Sequence, residues 1–197
     1  MILFIIPIEI EGRYIHIDDI GIKRIISGCG KKSLNIEKEL LEYKAAIDIV
    51  IVFGCCGLIK RDMPLGKLYI PQKWSYQGET IEIMRSVLEN MPYSQIIMNG
   101  VTVDEAVHTT AKRDRLHREG FQIVDQESFH LVKLCQKYNV PVCVIRYGID
   151  YCDRKMIPIP GVNHFYHKWN HWSMQKKMSK ILKSLSDKLY GWIDDEY

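Results

Sequence analysis

The stretch IVDQESFHLVKLCQKYNVPVCVIRYGID, residues 123–150, reads as strand, helix and strand. Ile123 and Val124 form an apolar lead-in that ends on Asp125, Gln126 and Glu127. Residues 128–138 then place Leu131, Leu134, Cys135 and Tyr138 at three- and four-residue steps, the spacing that stacks side chains on one helical face. Asn139 and Pro141 stop the helix: asparagine tolerates the left-handed turn at a helix end, and proline disfavours helical backbone before it. The run PVCVIRYGI, from 141, is apolar at successive positions and rich in β-branched residues, which suits a strand covered on both faces of a largely parallel sheet.

The same alternation extends outward. Strand-like runs recur as ILFII from 2, IKRII from 22, DIVIVF from 48 and QIIM from 95. Helical patterns fall at 33–43, with Ser33 as expected N-cap, and at 79–91, where Ile81, Met84, Val87, Leu88 and Met91 share a face. A last helix is expected from Ser173, with Met174, Met178, Ile181, Leu182, Leu185, Leu189 and Trp192 on one side. No repeat, low-complexity tract or linker interrupts the series, so residues 1–197 are expected to form one α/β domain.

The bulk numbers narrow the function. With 27 basic and 24 acidic residues the net charge is +3 and scattered, which argues against nucleic-acid or anionic-membrane partners. The start MILFIIPIEI has no basic region ahead of its apolar residues and is expected to be a first strand, and no apolar run reaches the roughly 20 residues of a membrane helix. The six cysteines lie mostly in apolar surroundings, which points to free thiols and a cytoplasmic location.

In open sheets ligands bind beyond the carboxyl ends of strands, so chemistry is sought there. Gly54, Cys55, Cys56 and Gly57 follow DIVIVF; glycines permit a sharp turn and close approach of a ligand, and small side chains suit a tight pocket better than a metal site. SGCGKKS, from Ser27, is a second glycine-rich turn without the spacing of a nucleotide-binding loop. RYGID, Arg146 to Asp150, delivers Asp150 to a strand end, where partial burial favours a carboxyl that keeps its proton; a plain turn residue is the alternative. His164, His167 and His171 recur at helical steps that zinc can use, but the interleaved Phe165, Trp169 and Trp172 fit an aromatic lid or subunit contact at least as well, so no metal is expected.

Taken in order, SGCGKKS, DIVIVFGCCGLI, GKLYIP and residues 123–150 resemble the nucleoside phosphorylase and nucleosidase superfamily, over about residues 22–150. The resemblance implies a three-layer α/β/α sandwich around a mixed, largely parallel sheet. The family's Asp-Met-Glu signature corresponds to Asp125, Gln126 and Glu127, whose Glu binds the ribose hydroxyls, and Gln126 departs from the usual methionine. Its Arg-x-x-Ser-Asp motif corresponds to Arg146–Asp150, whose Asp protonates N7 of the leaving purine, with Ile149 in place of the serine. In the hydrolytic branch a Glu after the first strand activates water, and Glu9 or Glu11 stands there, Glu9 being slightly preferred. The phosphate loop of the phosphorolytic branch is absent, leaving Arg13 and the turn Gly28–Lys31 as the nearby phosphate candidates. Ala106 occupies the place of a base-stacking ring, which suggests a nucleoside other than plain methylthioadenosine.

The resemblance therefore implies a nucleosidase acting on a purine-type nucleoside, with Asp150, Glu127 and Glu9 or Glu11 catalytic. Gly54, Cys55, Cys56, Gly57, Asp125, Gln126, Ala106 and Arg146 would surround the substrate. A phosphorylase and a nucleoside-binding protein without catalysis are the alternatives. A homodimer is expected, and nothing calls for an organic cofactor.

Overall fold

The computed structural model describes residues 1–7, 21–83 and 95–153. In chain order these form β1 (Ile2–Ile6), β2 (Ile22–Ile26), a 3-10 segment (Gly30–Ile36), α1 (Glu37–Tyr43), β3 (Ile49–Leu58), β4 (Leu68–Tyr76), β5 (Glu79–Glu82), β6 (Gln95–Thr102), α2 (Thr110–Arg118), β7 (Ile123–Asp125), α3 (Ser128–Lys137) and β8 (Val142–Asp150). All eight strands join one sheet. Parallel pairs link β1 to β2 and β3, β3 to β8, and β6 to β4 and β7. Antiparallel pairs link β3 to β7, and β4 to β5 and β8. The sheet is mixed and largely parallel, as expected.

The layers follow from side-chain alternation. Successive strand residues face opposite sides, so Ile123 enters the large core with Phe129, Leu131 and Val132 of α3, while Val124 enters a smaller cluster with Val107, Leu116 of α2 and Cys152. Helices thus cover both faces of the sheet. β1 is buried along its whole length, and Ile49–Phe53 of β3 likewise, which is why these strands are continuously apolar. Each such aliphatic side chain contributes about 1.5–3 kcal/mol on burial.

Three local expectations are corrected. Glu79–Glu82 belongs to β5, not a helix: Gln77 and Gly78 both have positive φ, 49° and 85°, and this turn folds the chain back onto β4. The remainder of the expected helix, 84–91, lies outside the described residues. Ser33 is not an N-cap; it lies buried within the 3-10 segment, and regular helix begins only at Glu37. GCCG is not a turn, because β3 continues through it to Leu58, held by pairing to β8. The helix expected from Ser173 is outside the described residues, among which no helix is long and apolar enough to cross a membrane.

Candidate active site

β3 and β8 run side by side with Gly54 opposite Arg146 and Cys56 opposite Gly148; the register then slips so that Gly57 faces Asp150. The slip leaves Ile149 as an extra residue on β8, a bulge that re-aims the strand end. Oδ1 of Asp150 accepts the backbone N–H of Cys152 at 2.9 Å, closing a local turn, and Cys152 itself sits at φ 56°, a region L residues rarely adopt. Gly57 makes this turn possible. A Cβ there would lie 2.0 Å from Sγ of Cys152 and 3.3 Å from Oδ1 of Asp150.

The β7–α3 junction supplies the other carboxylates. Asp125 accepts a hydrogen bond from Oγ1 of Thr102 at 2.7 Å, and from both the N–H (3.1 Å) and the hydroxyl of Ser128. The backbone bond satisfies the N–H of Ser128, the first residue of α3, which has no partner within the helix. Arg146, fully buried, places Nη2 2.6 Å from Oδ2 of Asp125 and 3.2 Å from Oε1 of Glu127, and donates to Oγ of Ser128 from Nε (3.0 Å) and Nη2 (2.7 Å). A buried guanidinium requires such partners, since an uncompensated charge in the interior is costly.

A cavity of about 330 Å³ opens at these strand ends. Its lining brings together Cys55, Cys56, Gly57, Ala106, Asp125, Gln126, Glu127, Ile149 and Asp150. Two of the residues expected there stand elsewhere: Gly54 and Arg146 are not on the lining, and they face each other in the strand pair behind it. Both lie further back along the paired strands than Cys55–Gly57 of β3 and Ile149–Asp150 of β8, which reach the opening. Glu9, Glu11, Arg13 and the histidines 164, 167 and 171 lie outside the described residues. Among the described residues no cluster of His, Cys, Asp or Glu could hold a metal ion.

The structure adds residues to the wall. Cys29, Val103, Val107, Val124 and Cys152 also line the cavity, and Thr102 and Ser128 brace it from behind. Ser128 was legible in principle, since a hydroxyl beside acidic residues at a strand–helix junction is a ready hydrogen-bond partner; Cys29 lies within the glycine-rich turn SGCGKKS already singled out, whereas the distant Thr102 carried no signal. Burial pushes the Cys56 thiol well up from its ordinary range, against the opposing pull of Arg146, and burial with the nearby Asp150 does the same at Cys152. These buried thiols are neutral wall, not nucleophiles. No aromatic ring lines the cavity among the described residues.

No family model matches the chain. Over 156 residues it is 23% identical to a 5′-methylthioadenosine/S-adenosylhomocysteine nucleosidase from an Exiguobacterium species, covering 66% of this chain and 67% of the relative. A Helicobacter pylori nucleosidase mutant with 5′-methylthioadenosine in its active site superposes with a TM-score of 0.72 at 18% identity, over 95% of this chain and 98% of that one. The futalosine hydrolase of Helicobacter pylori gives 0.74 at 18% identity, over 95% and 97%. The sequence resemblance and the superpositions agree: the chain has the fold of the nucleoside phosphorylase and nucleosidase superfamily.

Proposed function

We propose that this protein is a nucleosidase that hydrolyses the N-ribosyl bond of a purine-type nucleoside and releases the free base. Breaking that bond builds positive charge on the sugar and negative charge on the base, so a proton donor at the base and an anion at the sugar each favour the transition state over the substrate. Asp150 is the donor, aimed at N7 of the purine. Glu127 accepts hydrogen bonds from the ribose hydroxyls, contacts that tighten as an oxocarbenium ion forms. Water is activated by Glu9 or Glu11.

The observation that carries this reading is that Asp150 and Glu127, from separate elements, line one cavity. Electrostatics support it. Asp125 and Glu127 share the single guanidinium of Arg146. With both carboxylates ionised, these three groups leave one negative charge beside the cavity, the sign an oxocarbenium sugar requires. The relatives named above, two nucleosidases and a hydrolase of the same fold, favour hydrolysis.

The whole chain as one such domain, a homodimer and a cytoplasmic location belong to the same proposal, as does a substrate whose base or 5′ group differs from methylthioadenosine. The test is chromatography of a nucleoside panel, including methylthioadenosine, after incubation with and without phosphate. Base release that ignores phosphate is expected; release that requires it would make the enzyme a phosphorylase, and none from any nucleoside would reject the activity. Efficient cleavage of methylthioadenosine alone would overturn the substrate proposal.

A further inference from the structure

Gln126 sits between two tethered residues: Asp125 is held by Thr102, Ser128 and Arg146, and Glu127 by Arg146. Its own side chain leaves this braced junction and crosses to another segment, where Nε2 donates to the backbone carbonyl of Asp104 at 3.1 Å. Asp104 opens the connection between β6 and α2, which brings Ala106 and Val107 to the cavity wall. From the far side the Asp104 carboxylate accepts the hydroxyl of Tyr76 at 3.0 Å and Nε2 of Gln77 at 3.3 Å, both at the turn between β4 and β5, and Lys31 lies 3.6 Å away. The connection is therefore fastened at its root to the sugar-side junction on one side and to a hairpin on the other.

This matters because the wall offers little chemistry of its own. Ala106 lines the cavity with a methyl group at the place where the resemblance puts a base-stacking ring, so on the nucleosidase reading recognition there depends on where the backbone is held. We infer that the Gln126–Asp104 bond is a latch that sets the cavity wall facing the heterocycle, making Gln126 a specificity-determining positioning residue. The role in specificity rests on the nucleosidase reading; the latch itself does not.

Two measurements separate them. Gln126→Met removes the donor at similar size, and Gln126→Glu keeps the shape but presents acceptors to a carbonyl. Both variants should speed amide hydrogen exchange across residues 103–109 relative to the rest of the chain, and unchanged exchange would overturn the latch whatever the activity. In turnover, both should raise KM roughly three- to tenfold, the worth of one hydrogen bond, with a smaller change in kcat. They should also narrow the ratio of kcat/KM between 6-amino and 6-oxo purine nucleosides. A ratio that stays at the wild-type value while exchange rises would reject the role in specificity, and a wild-type protein that releases no base would reject the nucleosidase reading and with it that role, leaving exchange to decide the latch.

Discussion

Nη2 of Arg146 stands 3.2 Å from Oε1 of Glu127, beneath the cavity floor and fully out of solvent. The carboxylate that faces the opening is thus steadied by a cation that does not line the cavity. Arg146→Met leaves Asp125 and Glu127 facing each other without compensation. It should cost about 3–5 kcal/mol of stability, read as a lowered urea midpoint, whereas Arg146→Lys, which keeps the charge but loses the guanidinium whose Nε and Nη2 together hold Ser128, should fall between wild type and Arg146→Met.

The amide of Cys152 holds Oδ1 of Asp150, the proposed proton donor. Asp150→Asn should lower kcat on the order of a hundredfold or more while circular dichroism and nucleoside affinity stay near wild type. Unchanged turnover would remove Asp150 from the mechanism.

If Glu127 binds the ribose hydroxyls, its loss must depend on those hydroxyls. Glu127→Gln should reduce kcat/KM roughly a hundredfold for a ribonucleoside and much less for the matching 2′-deoxyribonucleoside. Equal losses on the two substrates would show that Glu127 acts through the fold and not through the sugar.

Gly57 makes room for three side chains at once, those of Cys152, Val124 and Asp150. Gly57→Ala should damage both stability, by about 1–3 kcal/mol, and activity, since its methyl collides with Cys152 beside Asp150. Adding Cys152→Gly removes the colliding sulfur and suits the positive φ at that residue, so the double variant should recover thermal stability above the single one. Calorimetry of the four combinations checks the coupling.

Burial pushes the thiols of Cys135 and Cys143 from 9.0 up to about 12. The folded state then binds more protons than the unfolded chain between about pH 9 and pH 12, so stability falls as pH rises through that window. Below pH 9 the two thiols have no effect on the slope. Cys143→Ala should flatten part of the alkaline decline in denaturant titrations; an unchanged slope would show that this thiol ionises normally in the fold.

What could be read in advance depended on how local the determining physics is. β1, the first half of β3 and β8 were legible because burial on both faces demands unbroken apolar runs. The helix after Glu127 was legible because its spacing and its Asn139–Val140–Pro141 stop are encoded within a dozen residues. The misread start of the 79–91 pattern shows the weakness of that logic: Glu79–Glu82 follows a two-residue turn of Gln77 and Gly78 that had already committed the chain to a hairpin.

The order of motifs along the chain, through the superfamily resemblance it carries, pointed to the fold class and to Glu127 and Asp150, each of which stands at a segment end that is recognisable locally. Only the tertiary structure decided that they open onto the same cavity, that Arg146 works from behind its wall, and that Gln126 reaches Asp104. Those relationships join residues 18 to 23 positions apart through sheet register, one bulge and the packing of a helix on strands. Distances across a sheet depend on which strands become neighbours, and no single stretch of sequence carries that information.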